Sequence, residues 1–205
     1  MYKRQAFIDG DDIHTKTARE LFSDSSSSEK ELRRIAKTIN FGIIYGMSSF
    51  RLAKELEISR YEAQDFIDCY FNGYPKVRDY FDSLSNDIET KGYVETMFGR
   101  RRYISELNTA GRDSGYAERS LLNTPIQGTA AEIVKKAMIN VDNNLQKWPE
   151  KAKIVLQVHD ELIVEVEEDI KDEVQQFVIS TMQDCVSLDV PLVVDSRFST
   201  RWGED

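Results

Sequence analysis

An α+β fold is predicted for this 205-residue chain by three features of its sequence. Helical periodicity between capping residues fills the first half, which contains no convincing strand. After Gly92, short β-rich runs paired about turns appear for the first time. Helical patterns then alternate with such runs to the C-terminus, and no internal repeat is present. The change of character near Gly92 sets the expected boundary: residues 1–91 mostly helical, residues 92–205 mixed.

The segment around Asp12 to Phe22 reads as a short helix, followed by a serine-rich exposed loop over residues 23–28. Ser28 and Glu31 make a capping box that opens a helix reaching Tyr45, and Gly46 supplies a left-handed stop. Another helix is expected from Ser48 to Leu56. Ser59 and Glu62 cap a third, whose Ala63, Phe66, Ile67 and Tyr70 form an apolar face. A fourth is expected from Pro75 to Thr90. Tyr93 to Thr96 and Arg101 to Ile104 read as two short strands about Phe98-Gly99. Helices are expected over residues 112–122 and 129–145, parted by Asn123-Thr124-Pro125. Ile154 to Val158 and Leu162 to Val166 form a predicted hairpin with His159-Asp160-Glu161 at its tip. Residues 169–185 read as an amphipathic helix and residues 192–198 as a closing strand.

Composition excludes several classes. Hydrophobic content of 40% and charged content of 31% are ordinary for a soluble globular protein. No apolar run approaches the ~20 residues of a membrane span, and Met1-Tyr2-Lys3-Arg4 lacks the apolar core of a secretory signal. Cys69 and Cys185 form no CxxC pair, and with only His14 and His159 available a structural zinc site is not expected. Inert thiols fit a reducing cytoplasm, the expected location. The net charge of −9 is uneven: 13 acidic and 3 basic residues lie between Asp160 and Asp205, leaving 23 acidic and 24 basic elsewhere. Local clusters such as Arg33-Arg34 and Arg100-Arg101-Arg102, not the total, decide contact with phosphates.

Residues 33 to 46 carry the most chemistry. On a helix, Arg33, Lys37, Phe41 and Tyr45 form one stripe in steps of about 6 Å, while Ile35, Ile39 and Ile43 suit a buried flank. Two cations followed by two aromatic rings match a nucleoside triphosphate, with phosphates at one end and a flat base at the other. A solvated amphipathic face is the alternative for a bare R-x-x-x-K spacing. The aromatic continuation argues against it, as does Gly42, since glycine costs roughly 1 kcal/mol inside a helix and implies a close approach. Asp160, at the tip of a hairpin, is either a turn residue or a carboxylate held rigidly toward a cleft. Mg²⁺ prefers such oxygens together with water and substrate phosphates.

The pattern Arg33-x-x-x-Lys37-x-x-x-Phe41-Gly42-x-x-Tyr45-Gly46 resembles the nucleotide-binding helix of the bacterial DNA polymerase I family (family A). Arg119-x-x-x-Asn123-x-Pro125-x-Gln127-Gly128 and Gln157-Val158-His159-Asp160-Glu161 resemble later motifs of that family in the same order. The resemblance runs from about Ala6 to the C-terminus. It implies that residues 1–91 are a fingers subdomain, with its nucleotide-binding helix at 29–45, and that residues 92–205 are the C-terminal part of an antiparallel-sheet palm. The implied activity is template-directed DNA synthesis, nucleotidyl transfer from a dNTP to a primer 3′-hydroxyl.

Site roles follow from the same resemblance. Arg33 and Lys37 neutralise the triphosphate, and Lys37 also gives a proton to the leaving pyrophosphate. His14, in Asp12-Ile13-His14-Thr15, contacts the same phosphates. Phe41 packs on the nascent sugar and base, and Tyr45 occupies the templating position when the fingers are open. Asp160 is the metal-binding aspartate of a two-Mg²⁺ site, Glu161 its acidic neighbour, and His159 lies close to the primer terminus. Arg119, Asn123 and Gln127 hydrogen-bond minor-groove acceptors that correct base pairs share, while Thr96 and Arg100 lie near the duplex backbone. Implied partners are primer–template DNA, dNTPs and an upstream polymerase portion carrying the palm start and thumb. The family's first catalytic aspartate, in a motif resembling Asp-Tyr-Ser-x-Ile-Glu-Leu-Arg, is not found ahead of His14. These 205 residues are therefore expected to be inactive alone. A non-catalytic nucleic-acid-binding or interaction module on the same fold is the alternative.

Overall fold

A computed structural model describes residues 2–22, 27–105 and 114–203; most of the serine-rich loop and the start of the helix expected at 112 lie outside these. The chain packs as two compact units, Met1–Thr129 and Ala130–Asp205.

In the first unit, helices α1 (Tyr2–Asp9), α2 (Ile13–Leu21), α3 (Glu29–Ile44), α4 (Ser49–Leu56), α5 (Arg60–Gly73) and α6 (Pro75–Lys91) precede a small hairpin, β1 (Tyr93–Glu95) and β2 (Arg101–Tyr103). The long helix α7 (Ser114–Leu145) begins in this unit. The starts of α2, α3, α4 and α5 are capped by Asp12, Ser28, Ser48 and Ser59, each side chain accepting a backbone N–H three residues on. The reciprocal capping box forms at Ser59 and Glu62. At Ser28 the box stays one-sided, because the Glu31 carboxylate turns to Arg34 at 2.7 Å. Helix α1 has no caps to announce it; it packs through Ala6, which is fully buried.

Helix α3 ends in a Schellman motif: the Gly46 N–H bonds the Ile43 carbonyl (3.0 Å) and the Met47 N–H the Gly42 carbonyl (2.8 Å). Gly46 has φ +62, the left-handed stop expected there. The close approach at Gly42 comes from the chain itself, since a Cβ there would lie 3.2 Å from the Met47 sulfur. The buried flank of α3, Ile39 and Ile43, joins Leu52, Ala63, Tyr70 and Tyr74 in the main core. Leu84, Ile88, Val94 and Leu121 form a second cluster under the hairpin.

The second unit holds the remainder of α7, the hairpin β3 (Ala152–Val158) and β4 (Glu161–Val166), a 3₁₀ turn at Glu168–Ile170, and α8 (Lys171–Gln183). The strands are antiparallel, closing at Val158 opposite Glu161. Ile154 faces Val164 but Leu156 faces Ile163, so Val155 is an extra residue, a β-bulge that resets which side chains face inward. Ala152, Ile154, Leu162, Val164 and Val166 pack with Val141, Leu145 and Val174. Beyond the bulge Leu156 is 41% exposed.

Two expected elements differ. The break at Asn123-Thr124-Pro125 does not occur; α7 runs on with Pro125 inside it. Proline removes one helical hydrogen bond and costs about 3 kcal/mol in a helix interior. Burial of the turn ahead of it, with Leu121 at 0% exposed and Asn123 at 8%, holds the helix together. The closing strand at 192–198 is absent. The β3–β4 sheet has two strands and offers this segment no ladder bonds. The segment is tied instead to α8, by Gln175 donating to Ser196 (2.9 Å) and by Lys171 standing 5.5 Å from the Phe198 ring centre. Among the described residues no helix is long and apolar enough to cross a membrane.

Candidate nucleotide ridge and acidic turn

The stripe expected on α3 is present as an exposed ridge. Phe41 and Tyr45 are 41% and 45% exposed and stacked, with ring centres 6.4 Å apart at 20°. The Lys37 ammonium lies 6.0 Å from the Phe41 ring centre, too loosely placed to be spent there. His14, from α2, adds its ring to the ridge at 5.5 Å from Phe41. Burial lowers the His14 pKa, and the Arg33, Lys37 and Lys3 charges lower it further against the pull of Asp12.

Arg33 is not idle. Its Nε and Nη2 grip Asp12 bidentately at 3.1 and 2.7 Å, while Asp12 also caps α2 through Thr15 N–H at 2.7 Å. The Arg33 guanidinium, then the Thr15 N–H, hold the Asp12 carboxyl well below the usual carboxylate range. A depressed carboxyl pKa contributes stability above its unfolded value, about 3.9, that is lost as pH falls toward the folded one. Both side chains are nearly half exposed, so the pair is worth at most about 1 kcal/mol. Urea midpoints should show wild type more stable than Asp12→Asn above about pH 5, with the gap shrinking below about pH 4.

Gly46 brings a second motif to the end of the ridge. A Cβ there would meet Arg119 Cγ at 3.2 Å, so the stem of Arg119, on α7, lies against the α3 C-cap. Arg119 and Gln127 are exposed. Asn123, between them at helical spacing, is 8% exposed, and its Oδ1 is buried without a partner among the described residues.

The basic turn sorts its three arginines. Arg101 pairs with Glu95 at 2.7 Å and lies over the Tyr93 ring, and Arg102 donates to Thr124 at 2.9 Å. Arg100 is exposed, with no side-chain partner among the described residues. Thr96 is 5% exposed; its hydroxyl accepts the Arg100 N–H at 3.1 Å and its methyl faces Gly128. A Cβ at Gly128 would sit 2.7 Å from that methyl. Gly128→Ala should therefore cost about 1–3 kcal/mol by overpacking. Adding Thr96→Ser, which deletes the methyl and keeps the hydroxyl, should recover most of it in a thermal melt.

In the second unit His159 and Asp160 are the two-residue loop of the β3–β4 hairpin. His159 has φ +52, a left-handed conformation usually left to glycine at the first position of such a turn, and the one that sets Asp160 at the tip. Gln157 Nε2 donates to the His159 carbonyl at 2.5 Å and braces it. Asp160 and Glu161 are both exposed, and neither carboxylate is engaged by another side chain among the described residues. Their oxygens are the donor type Mg²⁺ takes. Two adjacent carboxylates fit part of a coordination shell only: among the described residues no three His, Cys, Asp or Glu are grouped to hold a metal ion.

The first unit thus presents an exposed cationic–aromatic ridge and the second an acidic hairpin tip, on an α+β frame. The chain belongs to DNA polymerase family A, whose sequence model matches residues 4–204. It is 45% identical over 201 residues to DNA polymerase I of Caldicellulosiruptor bescii, covering 97% of this chain and 24% of that protein. It is 46% identical over 198 residues to DNA polymerase I of Pseudomonas aeruginosa, covering 94% of this chain and 21% of that one. The chain thus spans about a quarter or less of these relatives' length. Its fold is similar to the POL domain of Pol1 from M. smegmatis, solved in complex with a DNA primer-template and dNTP, with TM-score 0.83 and 42% identity over 93% of this chain and 34% of that one.

Sequence reasoning missed Asn40, which bonds His14, Lys3 and Thr17, which bond Asn40 in turn, and the Asp12–Arg33 pair. A polar Asn40 on an otherwise apolar helix flank was the available signal.

Proposed function

We propose that this chain supplies the fingers (residues 1–91) and the distal palm (residues 92–205) of a cytoplasmic DNA-directed DNA polymerase that transfers a nucleotide from a dNTP to a primer 3′-hydroxyl. The observation that carries this reading is the exposed ridge, on which Arg33 and Lys37 lead to the stacked rings of Phe41 and Tyr45 with His14 beside Phe41. Arg33 and Lys37 neutralise the triphosphate, His14 donates to it, and Lys37 holds a proton for the departing pyrophosphate. Phe41 and Tyr45 offer rings on which a sugar and base pack. Arg119, Asn123 and Gln127 bond minor-groove acceptors, which report pair shape without sequence. Arg100, presented by the turn that Thr96 shapes, holds a backbone phosphate, and His159 lies at the primer terminus.

Asp160 and Glu161 would hold Mg²⁺, which when bound would supply charge neutralisation at the reacting phosphate and lower the pKa of the attacking hydroxyl. Because two carboxylates do not complete a two-ion site, further ligands come from an upstream polymerase portion.

The test is a chimera in which these 205 residues replace the corresponding part of a relative's DNA polymerase I. The chimera should extend a primer with Mg²⁺, and the isolated chain should not. Extension by the isolated chain, lost in Asp160→Ala, would show that the ion site is complete within it. Well-folded chimeras from several relatives that bind DNA yet never extend a primer would point to a non-catalytic module.

A further inference from the structure

Asn40 is 3% exposed on the buried flank of α3, one residue before Phe41, and three polar side chains surround it. Lys3 donates to its Oδ1 at 3.1 Å, donates also to the Tyr70 hydroxyl, and stands 4.6 Å from the ring centres of Tyr70 and Tyr74. Burial draws the Lys3 ammonium down to about 8, with Glu20 opposing, so it remains a cation at neutral pH. An ammonium only donates, so the amide atom facing it is oxygen. Thr17, fully buried, gives its hydroxyl hydrogen to the Ile13 carbonyl at 2.8 Å and presents its oxygen to Asn40 Nδ2 at 3.0 Å. These contacts fix the amide. Its remaining hydrogen is aimed at His14 Nδ1, 3.2 Å away.

We infer that Asn40, oriented by Lys3 and Thr17, is a positioning residue that fixes His14 as a neutral ring donating through Nε2–H to a nucleotide phosphate. With Nδ1 committed as an acceptor, the single hydrogen of the neutral imidazole resides on Nε2. A second proton would set N–H against N–H, so the same contact opposes the imidazolium. Of the charged groups facing His14, Arg33, Lys37 and Lys3 act in the same direction and Asp12 against it. His14 then donates without titrating at neutral pH. The phosphate target rests on the reading of His14 given under the proposed function; the tautomer does not.

The chain has two histidines, so nitrogen-15 NMR of the labelled protein, assigned with His159→Gln, reads His14 directly. At pH 7.5 His14 should show a pyridine-type Nδ1 and a pyrrole-type Nε2. Asn40→Asp, nearly isosteric, exchanges the amide donor for an acceptor; it should move the proton to Nδ1 and raise the His14 pKa above the free value of about 6.5. Lys3→Met, which does not touch His14, should introduce a measurable Nδ1–H population. In the chimera, Asn40→Asp should raise KM for dNTP roughly tenfold, the scale of one hydrogen bond to a charged group, with a smaller change in kcat. A wild-type Nδ1–H ring or imidazolium at pH 7.5 overturns the inference, as does an unchanged tautomer in folded Asn40→Asp. Should that variant not fold, the wild-type tautomer decides alone. A Nε2 signal that shifts on adding dATP supports the phosphate target. The expected tautomer with a signal unmoved by dATP keeps the positioning role and overturns phosphate as its target.

Discussion

Replacing Asp160 by alanine in the chimera should reduce primer extension by about 10³-fold, the scale of removing a group that stabilises transition-state charge. The carboxylate is exposed at a hairpin tip and no side chain of the described residues engages it, so the fold does not depend on its charge. The hairpin is closed by the pairing of Val158 with Glu161 and braced by Gln157, neither of which the substitution touches. Stability should fall by less than about 1 kcal/mol, a surface change at a turn. Asp160→Asn separates the two readings of this residue. Asparagine suits a turn as well as aspartate does, but it lacks the charge that Mg²⁺ requires. An asparagine variant as inactive as the alanine one identifies a metal ligand; one that extends primers at the wild-type rate identifies a turn former, and ends the catalytic reading of this residue.

Lys37→Ala should slow the chemical step by about 10²–10³-fold, within the range of general-acid contributions, and leave primer–template affinity within about threefold, because the proposed partner is the triphosphate. Lys37 makes no ion pair among the described residues and only loosely approaches Phe41, so its removal leaves no buried group unsatisfied. Lys37→Arg keeps the cation but holds its proton too tightly to give it up, and should recover dNTP binding more than rate. Single-turnover extension alongside DNA binding by anisotropy distinguishes the terms. An equal loss of DNA affinity would move Lys37 from the nucleotide to the duplex.

Much of this was legible in the sequence, and the reasons are local. Ser28, Ser48 and Ser59 announce helices because an N-cap acts within three residues, and Gly46 announces a stop because a left-handed residue needs no distant partner. The ridge was readable because helical spacing alone places Arg33, Lys37, Phe41 and Tyr45 on one face. What escaped was set by contacts distant in sequence. Pro125 reads as a break, yet the burial of Leu121 and Asn123 holds the helix straight through it. Residues 192–198 read as a closing strand but find no ladder. Of three consecutive arginines, only the structure shows that Arg101 and Arg102 are spoken for.

The bidentate grip of Asp12 on Arg33 has an energetic corollary for any polyanion approaching the ridge. A phosphate that takes the guanidinium exchanges one anionic partner for another, whereas one that takes Lys37 displaces mobile counterions into bulk. Arg33 thus acts as a threshold, rewarding only ligands charged densely enough to outcompete a carboxylate already in place. Between dilute and concentrated salt, removing Lys37 should flatten the ionic-strength dependence of nucleotide affinity, and removing Arg33 should scarcely alter its slope.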